Sequence, residues 1–332
     1  MSSTQTQRAF IAEMEPNVRF SSTFCIGNAQ LAVTRNGDPY LACLLSDKSG
    51  QVPGRKWQMD AEEFKTLPVD GFVFAEGRTQ PFKGELQLII DRIEAVDAGQ
   101  VDLGELLPCT SKNIDDMFAQ VVGLLGSIEH TAMRALVKAY LEDENLMTQF
   151  RQAPAAKMMH HAYIGGLLEH TLSLMTGAEA LLPNYPALNR DLVLIGLFLH
   201  DLGKTRELAW DGAFSYTDRG ELVGHIVEGA IMLHDKAQQV MTGEGIRFPP
   251  NAITVLQHIV LSHHGIPEYG AAKIPATPEA QFVSMLDNLD AKVDMAVRAA
   301  RPQGKSADLG GNFTEKQWAL STKLFKPDVL KK

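Results

Sequence analysis

A chain of 332 residues with 45% apolar side chains is too long for one small domain and rich enough in apolar groups for two or three real cores. Its net charge of −9 argues against a protein that coats duplex nucleic acid by charge alone, although a local basic groove can sit inside an acidic whole. Cys25, Cys43 and Cys109 lie far apart with no CxxC spacing, so neither a disulfide framework nor a cysteine zinc site is suggested and reduced, structural thiols are expected. The opening MSSTQTQRAF has no basic, apolar and small-residue signal order, and no stretch is apolar long enough to span a bilayer. A soluble cytoplasmic protein without a membrane partner is expected, with a homo-oligomer left open.

After an N-terminal extension over 1–17, residues 18–97 alternate apolar and polar side chains in short segments, the period of strands. NGDP at Asn36 to Pro39, DKSGQVPG, and PVDG at Pro68 to Gly71 supply the turns, and ELQLIIDRIEAV the last strand. Only DAEEFKTL, Asp60 to Leu67, reads as a helix. One helix among about five strands fits a small closed barrel. The order of YLACLLSDKSGQVPGRKW, the short helix, GFVFAEGR and ELQLIIDRI resembles the OB-fold of nucleic-acid-binding modules. Such barrels hold a single strand by stacking its bases on aromatic rings and pairing its phosphates with cations. Tyr40, Trp57, Phe72, Phe74 and Phe82 are the candidate rings, and Arg55, Lys56, Arg78 and Lys83 the candidate cations. Most strand aromatics fill a barrel, so Trp57 beside Arg55 and Lys56 is the foremost surface candidate.

Residues 98–113, with Gly99, Gly104, Pro108 and a Thr-Ser pair, read as a linker, and 114–300 as an all-α domain. From Ile114 to Phe150 apolar residues recur at helical spacing, enough for two or three packed helices, with His130 an ordinary surface or core histidine. Leu192 to Lys204, LVLIGLFLHDLGK, is an apolar run that suits a buried helix, opened by Asp191 and stopped at Gly203. It carries His200 and Asp201 into the interior, where a carboxylate and an imidazole cost several kcal/mol unless paired, protonated or bound to a cation. A capping Asp beside a core His is the plainer reading of that dipeptide alone. The last stretch, 301–332, has seven Lys or Arg against three Asp or Glu and reads as a basic solvated tail.

All but one of the ten histidines fall between His160 and His264. His160 and His161 precede a diglycine, Gly165 and Gly166, that permits close approach of a neighbour or ligand, and His170 follows on a helix. GELVGHIVEGAIMLHDKAQQVM reads as one amphipathic helix with His225 near its start. His263 and His264 sit at a helix end stopped by Gly265 and Pro267, where two imidazoles can converge on one ion. His258 lies about 140° around that helix from His263 and reads as packed. Asp287, Asp290 and Asp294 share a helix face; Asp287, next to Met285 and Leu286 and nearest the apolar side, is the candidate ligand, and Asp290 and Asp294 read as a solvated stripe.

The succession His170, His200-Asp201, His225, His263-His264 and Asp287, each on its own expected helix, resembles the HD-domain metal-dependent phosphohydrolases over Ile114 to Ala300. More narrowly, APAAKMMHHAYIGGLLEHT, LFLHDLGK, GHI, LSHHGIPEYG and LDNLDAK behind an OB-fold resemble the YhaM family of 3′-5′ exoribonucleases. The resemblance implies one ion on His170, His200, Asp201 and Asp287, with Asp201 bridging to a second on His225 and on His263 or His264. Such ligands suit Mn²⁺, Fe²⁺ or Mg²⁺. It further implies Asp201 and Lys204 as catalytic residues, Lys204 neutralising a phosphate oxygen, and His160 and His161 as substrate-binding or outer residues. The substrate implied is single-stranded RNA, or DNA, cut to nucleoside 5′-monophosphates. Rival expectations are an HD phosphohydrolase of a small nucleotide and a catalytically silent strand-binding protein. EYGAAKIP after the His pair departs from the tryptophan-glycine-serine-proline-like stretch of relatives and alters the mouth around Glu268 and Tyr269.

Overall fold

The computed structural model of the protein describes residues 10–34, 36–68, 71–82, 85–157, 161–210, 214–301 and 311–330. They fall into two compact units, one of the described residues up to Cys109 together with those within 211–215 and 296–332, and one of Thr110–Trp210 and Tyr216–Met295.

The first unit is a closed five-stranded barrel in the order β1-β2-β3-β5-β4, with β1 Arg19–Val33, β2 Pro39–Asp47, β3 Gly50–Trp57, β4 Gly71–Phe82 and β5 Glu85–Val96. Closure depends on the length of β1. Its first half pairs with β4 and its second half with β2, and the register shifts between Gly27 and Gln30, where Asn28 has positive φ. An extra residue there bends the strand, so that one strand serves two neighbours around the curve. Inward positions of the alternating strands, Phe24, Ile26, Leu41, Leu45, Val52, Val73, Leu88 and Ile90, form the core. The expected helix is α1, Ala61–Lys65, capped by Asp60, which accepts from Glu63 N–H; Phe64 and Leu67 pack on the core. Ile11 and Met14 are buried in the same core. Within the linker, α2 (Leu103–Leu106) lies on the barrel, Lys48 N–H donating to Glu105 O at 3.2 Å. Val69 and Asp70 of the PVDG turn, and Lys83, lie outside the described residues.

The second unit is helical: α3 Ile114–Gly126, α4 Thr131–Leu141, α5 Glu144–Gln152, α6 Gly166–Leu181, α7 Arg190–Leu199, α8 Lys204–Glu207, α9 Asp218–Glu244, α10 Ala252–Ser262 and α11 Pro278–Ala300. Its centre is α7, buried from Val193 to Leu199, with Tyr140 and Phe150 edge-on to Phe198. The helix bounds differ from expectation. Asn189, not Asp191, caps α7 by accepting from Leu192 N–H, while Asp191 accepts from the Glu129 and His130 N–H groups ahead of α4. At the other end α7 stops at Leu199, so His200 to Gly203 form a turn rather than the last helical residues. No described helix is long and apolar enough to cross a membrane.

Candidate metal centre

Five helices deliver ionisable side chains to one interior region of the helical unit. The turn after α7 presents His200 and Asp201, both buried. Gly203 in that turn permits α9 to come close: a Cβ there would lie 2.1 Å from His225 O. The expected single helix over 218–244 is broken at Gly224, whose φ of 74° and ψ of 158° are not helical. That break, open to glycine at little steric cost, starts a new segment at His225, whose N–H and Nδ1 both meet Glu207 Oε1, at 2.9 and 2.8 Å. α6 supplies His170, the end of α10 supplies His263 and His264, and α11 supplies Asp287.

In each of five histidines Nδ1 is already engaged. His200 donates from Nδ1 to Leu197 O at 2.7 Å, His263 to Val260 O at 2.7 Å, and His264 to Tyr269 O at 2.6 Å. His170 Nδ1 meets Asp290 Oδ2 at 2.8 Å and His225 Nδ1 meets Glu207. A carbonyl can only accept, so Nδ1 carries the hydrogen in the first three, and neutral rings present a bare lone pair at Nε2. These Nε2 atoms converge on Asp201. His225 and His263 stand 3.5 and 3.4 Å from Oδ1, His200 and His170 stand 3.5 and 3.8 Å from Oδ2. Asp201 Oδ1, His225 Nε2 and His263 Nε2 are buried without a hydrogen-bond partner. Acceptors facing acceptors in a dry interior are costly, and a cation between them removes the cost.

Two groups of side chains that could hold an ion share Asp201: His170, His200 and Asp201 form one, with Asp287 Oδ1 3.2 Å from His170 Nε2, and Asp201, His225, His263 and His264 form the other, while a third group, His161, His170 and Asp290, does not include Asp201. Both histidines of the pair fall in the group with His225. Within each set of three or four so grouped, the donor atoms lie within 4.8 Å of one another. The donors are imidazole and carboxylate, with no thiolate, a set that fits a divalent cation.

Burial pushes His200 down to about 4, and burial with the neighbouring His263 and His225 takes His264 down to about 3, so both are neutral. His170 behaves oppositely: burial works against its charge, but Asp287 and Asp290 outweigh it and raise it to about 9. Burial also opposes the charge of Asp201, yet Lys204 and the imidazoles hold it well below the carboxylate range. Lys204, buried and 2.6 Å from Asp201 Oδ2, is raised despite its burial.

Other sequence candidates fall elsewhere. His160 lies outside the described residues. His161 is buried but turned to Asp290, 3.1 Å from its Nε2. Asp290 is not a solvated residue: it accepts from His170, His161 and Ser173, because α6 packs over that part of α11. Glu207, which holds His225, carries no sequence signal: it is an acid in KTRELAW with no motif around it. His258 Nε2 accepts from Ala276 N–H at 2.8 Å, a packed histidine as expected. In the barrel, Trp57 is 47% exposed and tilts on Tyr40 at 5.1 Å, with Arg55 over the Tyr40 ring at 5.4 Å. Lys56 faces the other way and pairs with Glu63 of α1 at 2.9 Å. Phe72 is buried.

Residues 167–292 match the HD domain family. A closed five-stranded barrel followed by a helical unit that matches the HD domain is consistent with an OB-fold plus HD arrangement, and an HD domain indicates a metal-dependent hydrolase. Among solved structures, the chain is similar to the protein priB from Ralstonia solanacearum, at 16% identity and a TM-score of 0.21, over 25% of this chain and 100% of that one. It is also similar to a hypothetical protein from Arabidopsis thaliana, at 18% identity and a TM-score of 0.25, over 34% of this chain and 94% of that one.

Proposed function

We propose that this protein is a 3′-5′ exoribonuclease of the YhaM type, a metal-dependent phosphodiesterase that removes nucleoside 5′-monophosphates from single-stranded RNA and accepts single-stranded DNA. The observation that carries it is Asp201, a buried carboxylate with one oxygen toward each of two ligand sets. A pair of divalent ions there would supply Lewis acidity at the phosphoryl oxygens and a more acidic water. The chain's own residues do the rest. Carbonyl-anchored His200, His263 and His264 keep their Nε2 atoms aimed without rearrangement, and Glu207 does the same for His225. Lys204 offsets charge beside Asp201 and offers its remaining hydrogens to a non-bridging phosphate oxygen. A water oxygen bonds to phosphorus as the O3′–P bond breaks, and the departing 3′ oxygen takes up a proton. In the barrel, Trp57, Tyr40 and Arg55 offer stacking faces and a cation to the strand.

The test is a metal-stripped preparation incubated with 5′-labelled single-stranded RNA, with and without Mn²⁺, resolved on a sequencing gel. A metal-dependent ladder shortening from the 3′ end with mononucleotide release is expected. An intact strand beside turnover of free nucleotides would replace this reading with that of a small-nucleotide phosphohydrolase, and no turnover of either would leave a strand-binding protein.

A further inference from the structure

We propose that Asp290 is a positioning residue that fixes the imidazole of His170 for one of the two metal sets, and that His161 and Ser173 hold Asp290 to that task. The inference rests on the metal-centre reading and is independent of which strand or nucleotide is the substrate.

Asp287 and Asp290 lie one turn apart on α11, and both approach His170, but from opposite sides of its ring. Asp287 Oδ1 is 3.2 Å from Nε2, on the side of Asp201 and His200. Asp290 Oδ2 is 2.8 Å from Nδ1. A carboxylate at Nδ1 keeps the hydrogen on that nitrogen and leaves Nε2 as the ligand atom, the part that carbonyl groups play for His200 and His263. Unlike a backbone carbonyl, a side-chain carboxylate can swing away. Here it is held from both oxygens: Ser173 Oγ–H donates to Oδ1 at 2.5 Å, and His161 Nε2 meets Oδ2 at 3.1 Å.

His161 is itself pinned. Its Nδ1 lies 2.6 Å from the Tyr163 hydroxyl, its N–H donates to Asp294 Oδ2 at 3.3 Å, and its carbonyl accepts from Ala155 N–H at 3.1 Å. Its φ is 49°, a left-handed backbone that non-glycine residues adopt at a cost, and a Cβ on Gly166 would lie 2.0 Å from its carbonyl oxygen. Gly166 therefore makes room for the backbone of His161, and Gly165, with φ of 79°, for the side chain of Thr110. The loop before α6 sends one partner and α6 itself two to a single carboxylate on α11. A third ion among His161, His170 and Asp290 is a poorer account of the cluster, because it would need lone pairs on both nitrogens of His170, an imidazole stripped of both protons.

The experiment is calorimetric titration of the metal-stripped wild-type chain, Asp290→Asn and Ser173→Ala with Mn²⁺ alone, RNA being absent. The wild-type chain is expected to bind two ions. Asp290→Asn should weaken one of them about 10- to 100-fold and leave the other unchanged, and Ser173→Ala should weaken the same ion several-fold. Two wild-type affinities in Asp290→Asn, or equal weakening of both ions, would overturn the inference. If Asp290→Asn does not fold, Ser173→Ala decides: a selective loss supports the assignment and two unchanged ions overturn it. A wild-type chain that binds no Mn²⁺ overturns the metal-centre reading and this inference together, whereas failure to degrade RNA touches neither titration.

Discussion

The barrel buries the carboxylate of Asp47, and the helical unit buries that of Asp201. Asp47 accepts from Ile11 N–H at 2.8 Å, from Ser49 N–H at 2.8 Å and from Ser49 Oγ–H at 2.5 Å, so its charge serves to tie Ile11 and the turn after β2 to the barrel. Asp201 has Lys204 on one oxygen, and its other oxygen faces two imidazole nitrogens without a hydrogen bond. A buried charge that satisfies backbone donors is architecture; one that faces other acceptors marks a place suited to a cation. The same residue type thus separates a scaffold from a site by its partners alone.

The largest test of that contrast is Asp201→Ala. It removes the atom group common to both ligand sets, so hydrolysis should fall by about 10³-fold or more, and Mn²⁺ binding should be lost at both positions. Lys204 would be left buried and unpaired at a cost of about 3–5 kcal/mol, so Asp201→Asn is the companion that keeps the shape. Strand binding by the barrel, measured by fluorescence anisotropy, should survive in either variant. Retained hydrolysis in both would place the chemistry elsewhere.

A second test uses pH on the metal-free protein. His170 is raised to about 9 in the folded chain, so its contribution to stability is complete below the unfolded value near 6.5 and is lost as pH rises through 9. Asp287 and Asp290 are depressed, so theirs is present above about 4 and is lost as pH falls. Between pH 6.5 and 9.5 the helical unit should therefore lose stability, by about 3 kcal/mol at most, read as a falling urea midpoint of the far-ultraviolet helical signal. Saturating Mn²⁺ should flatten that dependence, since the ion takes the place of the His170 proton. The barrel has no histidine, and Cys43 is pushed by burial up to about 12, so its own unfolding should be nearly flat from pH 6.5 to 8. A metal-free helical unit equally flat over this range would contradict the charged state assigned to His170.

Much of this contrast is legible in the sequence, and the limits have physical causes. Alternation showed the strands because each barrel strand has one buried face, and the His-Asp pair stood out because it ends an apolar run. Asp290 was misread because the face it shares with Asp287 is a local property, while its burial depends on Ser173 and His170 arriving from α6. The start of α7 was misplaced by two residues because Asn189 and Asp191 are both good caps, and only the α3–α4 connection shows which one is occupied elsewhere. Gly224 was visible, but its left-handed φ was not, so a broken helix read as a continuous one.

Smaller in effect is Asp47→Ala. The Ile11 N–H and the Ser49 groups lose their buried acceptor, which should cost the barrel about 1–3 kcal/mol. Mn²⁺ titration should be unchanged, because the carboxylate only holds the fold. A shifted metal affinity would undo the division between the two kinds of buried acid.

The finest test concerns the barrel's outer face. Trp57 is half exposed, leans on Tyr40 and sits on the same side of β3 as Arg55, whereas Lys56 is turned to Glu63. Base stacking on an aromatic ring contributes about 1–3 kcal/mol per base, so Trp57→Ala should raise the Kd for a single strand by about 5- to 100-fold. It should leave Mn²⁺ affinity, and kcat at saturating strand, as they are. Arg55→Gln should reduce the salt dependence of binding by roughly one phosphate contact. Lys56→Gln should change it little, since its charge is already neutralised on α1, and should cost the barrel less than about 1 kcal/mol through the lost ion pair. If Lys56→Gln weakens the strand as much as Trp57→Ala does, the strand runs over the α1 end of the barrel and not over the Tyr40–Trp57 face.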